Sequence, residues 1–149
     1  MAEKKKLKLD MVSPERPVLS CEAEFVVLPA VGGEMGVLPG HAPFLVQLNA
    51  GGVRATINDD LVIFAVSGGF AEVEPDRVAL FVETAEIADA IDTERAKQAL
   101  ERAKAQSAAG KGADAMTLAE AESAMRRAQV RLKVAGLRRP GGQRGRKDV

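Results

Sequence analysis

Over the first 85 or so residues, hydrophobic positions fall in short runs divided by turn-forming residues. Leu61 to Val66 is apolar at every position, so a strand there must be covered on both faces. Phe70-Ala-Glu-Val-Glu74 alternates instead, which suits a strand with one wet face. Gly32-Gly33, Gly51-Gly52 and Gly68-Gly69 separate the runs, and Asp59-Asp60 and Glu74-Pro-Asp-Arg77 mark polar reversals. Short strands at this spacing predict an all-β sandwich or barrel.

After Ala85 the period changes. Asp92 to Ala109 is dominated by strong helix formers, with Asp92 placed to cap the helix and Glu94 in its first turn. Gly110-Lys-Gly112 interrupts that helix, and Thr117-Leu-Ala-Glu120 has the form of a capping box opening a second. Leu118, Ala121, Met125, Ala128, Leu132 and Ala135 recur at spacings of three and four, matched on the first helix by Ala96, Ala99, Leu100 and Ala103. Two such stripes predict an antiparallel helical hairpin. Its alanine-rich seam buries little area per turn and is therefore weakly held. Gly136 is placed as a C′ residue and Pro140-Gly-Gly ends the helix. The chain thus divides into 1–85, a sandwich; 86–137, the hairpin; and 138–149, a basic tail expected to be disordered.

Composition narrows the function. The 149 residues carry no net formal charge, yet from Asp10 to Glu83 three arginines face eleven carboxylates, and the basic excess lies at the two ends. An acidic body whose few aromatics are phenylalanines in apolar runs speaks against nucleic acid. No apolar run approaches the roughly 20 residues that cross a bilayer, and MAEKKKLKLD lacks the apolar core of a signal peptide. The single cysteine, Cys21, has no ligand set around it and reads as a small core hydrophobe.

His41, the one histidine, sits within GEMGVLPGHAPF (33–44). A histidine base needs an oriented partner and a substrate proton within reach, and the sequence offers only Glu34 nearby. Two readings remain: a rigid loop displaying His41 and Glu34 as contact residues, or a loop in which His41 bonds to backbone. On the helices, Arg95 and Arg102 are two turns apart, about 10.5 Å along one face, and Arg127 and Arg131 one turn apart, about 6 Å. They either converge on a polyanion when the hairpin closes, with Asp92 available to a hydroxyl or amino group, or form a solvated face with pairs such as Glu122 and Arg126.

GEMGVLPGHAPF, then SGGFAEV (67–73), then the signature Ile91-Asp92-Thr-Glu-Arg95-Ala96, in this order and spacing, resemble the epsilon subunits of bacterial F-type ATP synthases. The resemblance spans about residues 5 to 137. It implies a sandwich of about ten strands in two sheets followed by the hairpin, in a non-catalytic subunit of the central rotor. The sandwich would bind the gamma subunit and the c-ring, with Glu34 as the acidic contact to the polar loops of the c-ring and His41 in the face toward gamma. The hairpin would extend toward the catalytic alpha/beta subunits and block ATP hydrolysis through Arg126, Arg127, Arg131 and Lys133. Folded down, it would bind ATP as a regulatory ligand through Glu86, Asp92, Arg95, Arg102, Arg127 and Arg131, with Ile91 and Ala96 completing the signature. The resemblance implies no catalytic residue, no metal and no required cofactor, and a peripheral place on the cytoplasmic face of the bacterial inner membrane. The alternative is a free-standing nucleotide-binding regulatory module of another complex.

Overall fold

A computed structural model describes residues 3–108 and 115–137 of the chain. The expected break at Gly110-Lys-Gly112 and the basic tail lie outside the described residues.

Ten strands come first: β1 (Leu7–Val12), β2 (Pro17–Ala23), β3 (Phe25–Ala30), β4 (Gly33–Val37), β5 (Phe44–Leu48), β6 (Gly51–Ile57), β7 (Asp60–Val66), β8 (Gly69–Val73), β9 (Arg77–Val82) and β10 (Ala85–Ile87). They form two layers, β10-β7-β6-β3-β4 and β5-β8-β9-β1-β2, which meet through the single pair Ala30 and Leu48. Pairing is antiparallel except between β1 and β9, which run parallel. Between the layers lies a core that includes Leu7, Leu9, Met11, Val26, Leu28, Phe64, Val78 and Leu80. Cys21 packs against it from a half-buried position.

The apolar run on β7 is explained by a second, smaller core. Val62, Phe64 and Val66 point between the layers, while Ile63 and Ala65 point outward into a cluster with Ala88, Ile91, Val134 and Ala135. Leu61 departs from the expectation of full cover, at 40% exposure. It stands beside the tight β6–β7 turn, where Asn58 and Asp59 take positive φ, at the end of the strand away from Ile63 and Ala65.

A 3-10 turn at Ala88–Ala90 leads into α1 (Thr93–Ala108), and α2 (Ala115–Gly136) follows. Asp92 caps α1 as expected, its Oδ1 accepting a hydrogen bond from the Arg95 amide at 3.0 Å. The two helices pack along Ala96 and Ala103 against Ala121 and Ala128, all buried. Leu100, Leu118, Met125 and Leu132 are half-buried beside them.

Three local expectations are corrected. α2 is already helical at Ala115, so Thr117 lies inside the first turn rather than opening it; alanine and methionine are strong helix formers and nothing at 115 or 116 resists the helix. At the other end α2 runs through Gly136, which does not take the positive φ of a C′ glycine. The closing bond runs from the Leu137 amide to the Val134 carbonyl at 3.1 Å, one turn of tighter helix. Ala135 belongs to the cluster against the sandwich, because α2 carries a second apolar face of Val130, Val134 and Ala135.

Candidate functional site

Where the hairpin meets the sandwich, a cleft of about 260 Å³ opens, lined by the end of β7, the start of β10 and the cationic side of α2. Its charged groups are Glu86 from β10, Arg127 and Arg131 from α2, and Arg16 from the turn between β1 and β2. β10 exists because Ala85, Glu86 and Ile87 pair antiparallel with Val66, Ala65 and Phe64, and that pairing sets Glu86 at the sheet edge beside α2. Arg127 and Arg131, one turn apart on α2, reach the same cleft, as their spacing requires.

Three guanidinium groups therefore face one carboxylate. Arg131 Nε lies 2.9 Å from Glu86 Oε2. That oxygen is shielded from solvent, yet no donor is aligned with it as a hydrogen bond, so the contact is a charge pair rather than a directed bond. Arg127 Nη1 donates to Ser123 Oγ at 2.7 Å on its own helix. Among the described residues no carboxylate lies within ion-pair distance of Arg16 or Arg127. A cleft with this excess of positive charge is built to attract an anion.

The other signature residues do not line this cleft. Ile91 is buried in the small core under α2, and Ala96 is buried in the seam. Asp92 is engaged as the cap of α1. Arg95 and Arg102 are exposed on α1 and do not line the cleft. Arg126 and Lys133 are exposed on α2. The ion pairs that do form along α1 are Glu94 with Lys97 at 3.1 Å and Glu101 with Lys104 at 3.5 Å.

At the loop of residues 33–44, Glu34 is exposed on β4 and pairs with Arg54 of β6 at 2.6 Å. His41 turns its Nδ1 onto the carbonyl of Ala42 at 2.7 Å. The loop is pinned by the Gly40 amide donating to the Pro75 carbonyl at 2.6 Å and the His41 amide to the Leu38 carbonyl at 3.1 Å. His41 is thus bonded to backbone within a fixed loop whose neighbours Leu38, Phe44 and Leu45 are exposed. Among the described residues no cluster of three His, Cys, Asp or Glu side chains could hold a metal ion, and no helix is long and apolar enough to cross a membrane.

Sequence reasoning assigned no role to Arg16, Arg54 or Val134. Arg16 and Arg54 left a trace that could have been followed, as two of the three arginines in an acidic body.

A β-sandwich with a docked helical pair and a cationic junction between them defines the class, and comparison with known proteins defines the family. Residues 6–88 match the family model described as ATP synthase, Delta/Epsilon chain, beta-sandwich domain, and residues 89–136 the one described as its long alpha-helix domain. The chain belongs to the ATP synthase Delta/Epsilon family. It is 50% identical over 134 residues to the ATP synthase epsilon chain of Dehalococcoides mccartyi, covering 90% of this chain and 95% of that one. To the epsilon chain of Syntrophobacter fumaroxidans it is 47% identical over 135 residues, covering 91% and 98%. Among solved structures it resembles a chain in the OSCP/F1/c-ring assembly of the Euglena gracilis mitochondrial ATP synthase, with a TM-score of 0.74 and 26% identity over 89% of this chain and 82% of that chain.

Proposed function

We propose that this chain is a non-catalytic subunit of the central stalk of an F-type ATP synthase, that its sandwich couples rotation to proton flow, and that its hairpin is an ATP-responsive brake on hydrolysis. The observation that carries the regulatory part is the cleft itself: Arg127 and Arg131, the arginines suited to an acidic segment of the alpha/beta subunits, are turned toward the sandwich and lie beside Glu86. The same side chains cannot serve both places at once. With the hairpin docked they are held at the junction; with the hairpin extended along gamma they are free for the catalytic subunits. Because each exposed ion pair contributes at most about 1 kcal/mol, inhibition needs Arg126, Arg127, Arg131 and Lys133 together.

ATP acts on this equilibrium by preferring the docked form. Its phosphates answer the cationic excess of the cleft, and Arg95, Arg102 and Asp92 on the neighbouring helix extend the site toward the rest of the nucleotide. The ligand shifts the hairpin only by the difference in its affinity for the two positions. The weak hold of the hairpin makes a modest difference sufficient, since each 1.4 kcal/mol moves the ratio tenfold.

For the rotor role, the fixed loop around Gly40 presents Glu34 to the polar loops of the c-ring and the exposed Leu38 and Phe44 to neighbouring subunits, with His41 in the face toward gamma. The complex would place the chain at the cytoplasmic face of the bacterial membrane, held by its partners. Capture of the tagged chain from solubilised membranes is expected to bring down gamma and the c-ring; recovery of the chain alone, or with an unrelated complex, overturns the rotor role. Titration calorimetry of the full chain with ATP tests the sensing role separately, and no heat of binding at millimolar ATP rules it out.

A further inference from the structure

The signature arginines all ride on the hairpin, and a ligand held by the hairpin alone could travel with it. For ATP to favour the docked position it must touch something that the hairpin leaves behind. Glu86 on β10 stays with the sandwich but is a carboxylate; Arg16 is the cation of the cleft that stays, belonging to the turn between β1 and β2 and lining the same cavity as Glu86, Arg127 and Arg131. The turn is fixed by Ser13, whose amide and hydroxyl both donate to the Arg16 carbonyl, at 3.0 Å and 2.9 Å. The guanidinium, by contrast, has no carboxylate within ion-pair distance among the described residues. It is a sequence feature outside the helical signature, and its presence in the cleft follows from the fold alone.

We propose that Arg16 is a phosphate ligand contributed by the sandwich, so that a bound nucleoside triphosphate bridges the two domains and latches the hairpin down. The inference rests on the reading of this junction as an ATP site and adds a cationic contact from the sandwich that makes phosphate binding position-dependent. In the docked state the phosphates lie between Arg16 on one wall and Arg127 and Arg131 on the other; once α2 departs, Arg16 stays with the sandwich and that contact is lost. A guanidinium is suited to the task because it stays charged and presents paired N–H donors to phosphate oxygens. The small volume of the cleft fits part of a nucleotide, being below the range of about 300–1,000 Å³ typical of whole-ligand pockets.

The test compares the full chain with its Arg16→Ala, Arg16→Gln and Arg16→Lys variants, first confirming equal thermal unfolding for each. Two quantities are read: ATP affinity by calorimetry, and the ATP-induced change in energy transfer between fluorophores on α1 and on the sandwich. Arg16→Ala and Arg16→Gln are expected to bind ATP about tenfold more weakly, the loss typical of one charge-assisted contact. At saturating ATP they are also expected to lose most of the docking response, while Arg16→Lys retains part of both. If the unsubstituted chain binds ATP and all three variants match it in affinity and response, the role of Arg16 is overturned and the ATP site stands. If the unsubstituted chain does not bind ATP at millimolar concentration, both readings fall together.

Discussion

Asp10 ties three strands of one layer together. On β1, its Oδ1 accepts from the Ser20 hydroxyl of β2 at 2.7 Å and its Oδ2 from Arg77 Nε of β9 at 2.9 Å, with Lys8 Nζ at 3.8 Å. The Ser20 hydrogen bond, aided by Arg77 and Lys8 and opposed by burial, holds the carboxyl below its ordinary value of 3.8. A carboxyl depressed by folding stabilises the native state above its unfolded value and loses that contribution as pH falls through the folded one. Asp10→Asn is therefore expected to cost about 1–2 kcal/mol near neutral pH. Its urea midpoint should converge on that of the unsubstituted chain as the pH drops below 3.8; a gap that stays constant down to strong acid contradicts this. Gly69 makes a second residue-level case. At φ +142° a Cβ would stand 2.0 Å from the Phe81 carbonyl oxygen of β9. Gly69→Ala is thus expected to destabilise by about 3 kcal/mol or more, read by urea unfolding. This glycine was visible in the sequence as a turn former, but the strand that crowds it was not, because the pairing of Gly69 with Val82 is set by β8–β9 register. Glu34 is a similar case: the sequence placed it on an irregular loop, whereas it lies on β4, and neither that strand nor its partner Arg54, twenty residues on, could be placed without the β3–β4 and β3–β6 pairings.

α2 has two apolar faces, and only one follows from a simple alanine stripe. The face toward α1 repeats at three and four residues and was legible, as was the capped start of α1. The second face, Val130, Val134 and Ala135, covers Ile63 and Ala65 of β7 and approaches β6 so closely that a Cβ on Gly52 would come 3.3 Å from Val134 Cγ2. The apolar run on β7 announced that something covers it; which helix and which turn depended on the hairpin folding back, a long-range event without a local signal. In the proposed function this patch would be the latch of the docked arm. Val134→Ala removes two methyl groups, at roughly 0.8 kcal/mol each. It is expected to shift the hairpin about tenfold toward the undocked form, seen as faster proteolysis of α2 with the sandwich intact. Unchanged cleavage would show that the patch does not hold the helix.

In the whole molecule, the two domains differ in how firmly they are made. The sandwich closes over one core of large aliphatic side chains, and its parallel β1–β9 pair joins residues almost seventy apart in sequence. The hairpin is joined by an alanine seam and meets the sandwich through a small apolar patch and a charged cleft. That contrast is what the proposed function draws on, with a firm rotor contact carrying a movable arm. The central claim is that the arm has a docked position which releases hydrolysis and another which restrains it. The close approach of Gly52 and Val134 provides a way to fix the first: Gly52→Cys with Val134→Cys, in a Cys21→Ser background, forms a disulfide only when α2 is docked. Reconstituted into a synthase lacking its own subunit, this variant should hydrolyse ATP faster when oxidised than when reduced, and reduction should restore the restrained rate. Equal rates in the two states, with the disulfide confirmed, would contradict the account.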